Sequence, residues 1–250
     1  MVTIRRNPSR HKAAASAAAA VLFFLLTSLG ASAQALSVLP VNIFLAPGQK
    51  ATSLTVTNQG TSETAIQIRA YAWNQPEGID KLTASDLIVA SPPLARMAPG
   101  ATQVIRLILR QPPKEREATY RILIDQIPPP AQPGVVNMVL RLSIPIFTKP
   151  PVRAEPHVVF HLELDAGKLF LVAINDGLRH EVIRDIELTT SDGRKLKPEA
   201  GGLPYILAGA TRRWAIAAQG ALPLANDTLR LTAHADAGTI DQQVRVVGLP

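Results

Sequence analysis

The stretch Val136-Asn137-Met138-Val139-Leu140-Arg141-Leu142-Ser143-Ile144-Pro145-Ile146 decides the fold class of this chain. Every even position from 136 to 146 carries a large apolar residue, six in succession. Side chains alternate between faces along a strand, so a period of two reads as a β-strand with one apolar face. An ordinary half-buried core strand shows the same pattern. Two details set this one apart. Pro145 lacks a backbone N–H and is tolerated mainly at sheet edges and bulges. The strand also comes last in its half of the chain, where an edge position is common. A long apolar edge is an aggregation hazard that proteins usually blunt with charge. An edge left this clean makes sense if its task is to pair with another chain.

Working back toward the N-terminus, the same period recurs between turns. Ala35 to Leu45 is one run, closed by Ala46-Pro47-Gly48-Gln49. Leu54, Val56 and Asn58 share a face of the next, which stops at Asn58-Gln59-Gly60-Thr61. Ile66, Ile68, Ala70 and Ala72 line one face of a third, with Gln67, Arg69, Tyr71 and Trp73 opposite. Asn74 to Ser85 is too polar for core and reads as a loop. Leu87 to Met97, Gln103 to Arg110 and Thr119 to Ile127 complete the set before the run from Val135 to Thr148. Seven strands in about 115 residues is the density of an immunoglobulin-like sandwich. Lys149-Pro150-Pro151 reads as a stiff linker. Beyond it the chain is again β, with turn signals at Asp165-Ala166-Gly167, Asn175-Asp176-Gly177 and Ser191-Asp192-Gly193. The expectation is an all-β chain of two immunoglobulin-like sandwiches in a bent, boomerang-like arrangement, over residues 34–150 and 151–250.

Residues 1–33 read as a cleaved signal peptide. Arg5, Arg6, Arg10 and Lys12 precede an apolar run from Ala13 to Leu29, and Ala31-Ser32-Ala33 supplies the small residues of a cleavage site. The apolar run is shorter than the ~20 residues of a spanning helix, so no membrane insertion is expected after cleavage. The Arg5-Arg6 pair hints at twin-arginine export, but no apolar consensus follows it, and the ordinary secretory route fits better. The full chain carries +7, yet four of its 26 basic residues lie in the leader; the remainder holds 22 basic against 19 acidic residues. That balance removes most of the case for nucleic-acid binding. With no cysteine, an exported chain has neither disulfides nor a thiol nucleophile.

Several motifs, in order, resemble one family. They are Ser91-Pro92-Pro93 with Arg96, Pro99-Gly100, and Arg106-Leu107; then Tyr120 through Ile127-Pro128-Pro129; then the alternating strand ending Ile146-Phe147-Thr148-Lys149-Pro150. Together they are similar to the PapD-like periplasmic chaperones of the chaperone–usher pilus pathway. The resemblance implies a periplasmic chaperone that stabilises pilus subunits by donor-strand complementation and delivers them to an outer-membrane usher. It makes Val136, Met138, Leu140, Leu142 and Ile144 the donor residues. It also implies an interdomain ion-pair network of Glu117, Lys149 and Asp236, and leaves room for a self-capping oligomer of the free protein. Better-known members hold the subunit's C-terminal carboxylate with two basic residues in the cleft. Here those positions fall at about Val41 and at Pro145, which resembles the divergent, archaic branch. Arg106 is then the first candidate anchor, followed by Arg141 and Arg121.

Rival readings find little support. There is no Gly-x-Ser-x-Gly elbow, phosphate loop or His-Glu-x-x-His motif, so neither an enzyme nor a cofactor is expected. His157 and His161 would stand about 13 Å apart on a strand of ~3.3 Å rise per residue, too far to share a metal. Asp80, Asp86 and Asp125 fall on different elements with no paired-carboxylate logic. A structural or adhesive exported sandwich without chaperone activity remains the alternative.

Overall fold

The computed structural model describes residues 36–130, 133–134, 136–199, 203–217 and 220–248, so the expected leader lies outside the described residues. The first half holds ten strands: β1 (Leu36–Leu39), β2 (Ile43–Leu45), β3 (Ala51–Asn58), β4 (Thr64–Asn74), β5 (Lys81–Ala84), β6 (Ile88–Ser91), β7 (Leu94–Met97), β8 (Thr102–Leu109), β9 (Ala118–Ile127) and β10 (Arg141–Thr148). They form two sheets. One has the order β1-β3-β8-β6, and the other β2-β10-β9-β4-β5, with β7 also on β4.

Prolines explain why ten strands stand where the period-two runs suggest seven. Pro40 splits the first run, so β1 pairs with β3 in one sheet while β2 crosses to β10 in the other. Pro92 and Pro93 do the same to the run from Leu87, sending β6 to β8 and β7 to β4. Each proline ends a ladder because it has no N–H to offer, and the chain changes sheet there. The tenth strand is β5, within the segment read as a loop; it pairs with the end of β4 although every residue in it is exposed.

Between the sheets lies the first core. Leu54, Val56, Ile105 and Leu107 of one sheet meet Ile66, Ile122, Ile124 and Ile146 of the other. Asn58 is buried at the end of β3 and is fully occupied there. Its amide donates to the carbonyls of Ser62, Met97 and Ala98, and its oxygen accepts from the Gly60 N–H.

The second half folds separately from β11 (Val158–Asp165), β12 (Lys168–Asn175), β13 (Glu181–Thr189), β14 (Lys195–Pro198), β15 (Tyr205–Ile206), β16 (Ala210–Ala217), β17 (Thr228–Ala235) and β18 (Gly238–Gly248). Their order is β14-β16-β12-β11-β18-β17-β13-β15, and β14 also pairs with β13, which closes the sheet into a barrel-like sandwich around its own core. Ala166 and Gly167 both take positive φ between paired Asp165 and Lys168, the two-residue hairpin that Asp-Ala-Gly signals. At the end of β12, Asn175 repeats the device of Asn58: its amide donates to Arg179, Ile206 and Leu207 carbonyls, and its oxygen accepts from the Gly177 N–H.

The chain between the halves is fastened to this turn. Asp176 N–H donates to His157 O at 3.1 Å and Leu178 N–H to Glu155 O at 2.9 Å. Gly177 sits beneath those bonds with no room for a side chain, since a Cβ there would lie 2.4 Å from His157 N and 2.5 Å from Glu155 O. Gly177→Ala should therefore push the linker off the second domain and destabilise the protein by about 1–3 kcal/mol, the usual range for overpacking, read as a lower urea midpoint.

Candidate functional site

In the six-stranded sheet β10 lies between β9 and β2, but the two flanks differ. Pairing with β9 runs from Arg141 to Thr148, whereas β2 reaches only Ile146 to Thr148. On the β2 side, residues 141–145 therefore present a bare margin among the described residues. Backbone N–H groups alternate direction along a strand. Lys149 N–H donates to Leu45 O on the β2 side at 3.0 Å. By that alternation the nitrogen of Pro145 also faces this side, so the proline removes no rung from the β9 ladder.

The six apolar side chains divide into two groups. Ile144 and Ile146 are buried in the first core and Leu142 packs against it. Val136, Met138 and Leu140 precede the strand and are 91%, 88% and 41% exposed. Their last tie to the sheet is at Leu140, whose carbonyl accepts from Gln126 N–H at 2.9 Å and whose N–H meets Gln126 Oε1 at 3.3 Å. The expectation of one continuous accessible row is corrected here. The parity that makes the row apolar turns it into the sandwich wherever the sandwich exists, so Leu142 and Ile144 are taken up by the protein's own core. Only Val136, Met138 and Leu140 stand free of it.

The three anchor candidates fall in different places. Arg106 is on β8, paired with Ser53 and Ser91, in the sheet that does not contain β10. Ile105 and Leu107 point into the core, so Arg106 must point outward, beside exposed Val104 and Ile108. It does not face the cleft, and its rank as first candidate is corrected. Arg141 and Arg69 both grip Asp125, the latter at 2.6 Å. Burial alone would raise the Asp125 pKa, but the hydrogen bonds from Arg141 and Arg69 outweigh it and hold the carboxyl below its ordinary range. The charge of Arg141 is thus already matched.

Arg121 differs from both. It lies on β9, buried at the junction of the two halves, its guanidinium 3.8 Å from the ring centre of Trp73 and 5.6 Å from that of Tyr205 in the second half. Nη1 reaches Ser143 Oγ at 3.4 Å, and Nη2 is buried with no hydrogen-bond partner. Burial pulls its pKa down, only partly opposed by Tyr205 and Asp80. Arg121 is a buried cation with no carboxylate in contact among the described residues, an arrangement that costs free energy.

The interdomain network is also corrected. Glu117 does bridge the halves, but to His180, whose backbone N–H (3.1 Å) and Nδ1 (2.6 Å) both meet Oε1. The His180 ring stacks on Phe147 at 3.7 Å. Lys149 is exposed and makes no ion pair among the described residues, and Asp236 pairs with Arg184 within the second half. The reason is local: Glu117 N–H donates to Leu178 O, which sets its carboxylate beside His180 and away from Lys149. A second bridge was missed altogether. Asp80 accepts from Trp73 Nε1, Gln75 Nε2 and Arg212 Nη1, and Gln75 exchanges hydrogen bonds with Tyr205 and Leu207. Both residues come from the segment read as loop. His157 is bonded to Asp176 and His161 to Glu163, and no group of three metal-ligating side chains occurs among the described residues.

Residues 35–153 match the model of the PapD N-terminal domain, described as a pili and flagellar-assembly chaperone. Over this whole span the first domain is similar to the PapD chaperone family. That family is a class of chaperones rather than of enzymes. PapD of Escherichia coli itself is 26% identical over 127 residues, 48% of this chain and 52% of PapD. The uncharacterized fimbrial chaperone YbgP of E. coli K12 is 32% identical over 124 residues, 48% of this chain and 49% of YbgP. The chain thus spans about half the length of the curated relatives it matches. Structural likeness to PapD-type chaperones extends further. The complex of CsuC with the tip subunit CsuE, from the archaic Csu pili of Acinetobacter baumannii, aligns at TM-score 0.64 and 19% identity over 86% of this chain and all of that one. The E. coli chaperone DraB aligns at 0.55 and 20% identity over 85% and 97%. At these identities the likeness establishes the two-domain fold.

The elbow geometry separates two substitutions. His180→Ala removes the Nδ1 bond to the buried Glu117 carboxylate and the ring stacked on Phe147, keeping only the backbone N–H bond, and should cost about 2–4 kcal/mol in urea unfolding, whereas Lys149→Ala should change stability by less than about 0.5 kcal/mol.

Proposed function

We propose that the chain is a periplasmic chaperone that holds pilus subunits by donor-strand complementation and passes them to an outer-membrane usher. Residues 34–150 would form the subunit-binding domain and 151–250 its companion, after removal of the leader. The observation that carries this reading is the exposure of Val136, Met138 and Leu140 immediately before a strand with a bare margin. A sandwich that lacks its last strand has an apolar groove and unpaired backbone groups, and an inserted strand satisfies both. Three such side chains contribute roughly 5–9 kcal/mol before association costs, at about 1.5–3 kcal/mol each. Leu142 stands at the border of the donor set, and Ile144 serves its own domain.

Arg121 is the proposed anchor for the subunit's terminal carboxylate. In a site shielded by Trp73 and Tyr205, attraction between opposite charges is strong, and the unpartnered Nη2 offers a donor once the carboxylate displaces the cover that keeps Arg121 buried. Val41 and Pro145 in place of basic residues, together with the likeness to an archaic-pilus chaperone, support membership of the archaic branch. The adhesive alternative gains no observation of its own.

The test is co-expression with a candidate pilus subunit deprived of its own N-terminal extension. Wild type should yield a soluble one-to-one complex. Met138→Asp combined with Leu140→Asp should fold normally and leave the subunit insoluble, because charge cannot enter an apolar groove cheaply; a complex that survives would remove the donor-strand claim. Arg121→Ala should weaken capture by about 10–100-fold, the scale of one charge-assisted bond, while Arg106→Ala should leave it unchanged. The reverse outcome would return the anchor to the other sheet.

A further inference from the structure

Sulfur is sparse in this chain: no cysteine, and methionine only at positions 1, 97 and 138. Met97 ends β7 inside the first core and is 2% exposed, whereas Met138 is 88% exposed. Met138 is also the middle member of the accessible triplet, flanked at two-residue spacing by Val136 and Leu140. We infer that Met138 is a reversible oxidation site whose sulfoxide form switches off capture of a polypeptide partner. The inference rests on the donor-strand reading and adds a regulation of that same site.

The reaction needs only a peroxide. A lone pair of the Met138 thioether attacks one peroxide oxygen, a sulfur–oxygen bond forms as the oxygen–oxygen bond breaks, and the departing oxygen leaves as water after proton transfer. Sulfur loses two electrons and hydrogen peroxide gains them. Susceptibility follows exposure, so Met138 reacts ahead of Met97. No thiol in the chain competes for the oxidant. The product carries a strongly polar oxygen that accepts hydrogen bonds and donates none. Such a group enters an apolar groove only by leaving water without compensation. Val136 and Leu140 have no comparable chemistry, so one atom controls the compatibility of the whole row. Because sulfoxide reductases restore the thioether, the change is reversible.

The experiment treats purified mature protein with hydrogen peroxide, locates oxygen addition by peptide mass spectrometry, and measures capture of a pilus subunit lacking its N-terminal extension. The expected result is oxygen on Met138 before Met97, capture weakened by about tenfold, the scale of one unpaired polar group, and recovery after methionine sulfoxide reductase treatment. Met138→Leu, whatever its untreated affinity, should lose none of it to peroxide. Complete oxidation at Met138 with capture within about twofold of the untreated protein would overturn the inference, as would prior oxidation of Met97. Failure of untreated wild-type protein to capture any subunit would instead strike the donor-strand reading, and the inference would fall with it.

Discussion

Alternation of side chains along the β9–β10 ladder is the constraint on which the rest of this structure depends. Inward residues Ile122, Ile124, Ile144 and Ile146 build the first core. Outward residues of the same strands, Arg121 and Phe147, build the junction with the second domain together with Trp73 of β4. One pair of strands therefore ties the stability of the first domain to its seat on the second. A shift of register by one residue would exchange the two sets, placing Arg121 in the core and the isoleucines at the elbow. The apolar row before β10 inherits its phase from the same ladder. Its exposed members are the continuation of a core pattern past the point where the core ends.

Much of this was legible in the sequence because strands announce themselves at short range. The faces assigned to Leu54, Val56 and Asn58, and to Ile66 and Ile68 against Trp73, follow from parity alone. Gly-containing turns after β1–β2 and before β8 were equally plain, with Gly48 and Gly100 both at positive φ. Which sheet a strand joins is not a local property. The crossings at Pro40 and Pro92-Pro93 needed the partner strands to be known. The prolines were visible, but their effect of splitting one run between two sheets was not.

The site was harder to read for the same reason. Arg106, Arg121 and Arg141 are equivalent as sequence, each an arginine flanked by apolar residues. What separates them is the presence of Asp125 beside Arg141, an outer face around Arg106, and two rings from different domains around Arg121. The partner of Glu117 was missed because His180 lies 63 residues away, and no local pattern marks a histidine that will stack on Phe147. Asp80 was passed over because it sits in a polar segment, where its hydrogen bonds with Trp73, Gln75 and Arg212 leave no periodic trace.

The lashing of Glu155 and His157 to the turn at Gly177 has a bearing on evolution. Amide-to-carbonyl bonds are furnished by every residue type except proline as donor, so they are blind to most substitutions in the linker. The seat of the linker on the second half is thereby insulated from drift in surface charge. A chain built this way needs no ion pair at the exposed Lys149 to seat its linker, while a single achiral residue guards the close approach.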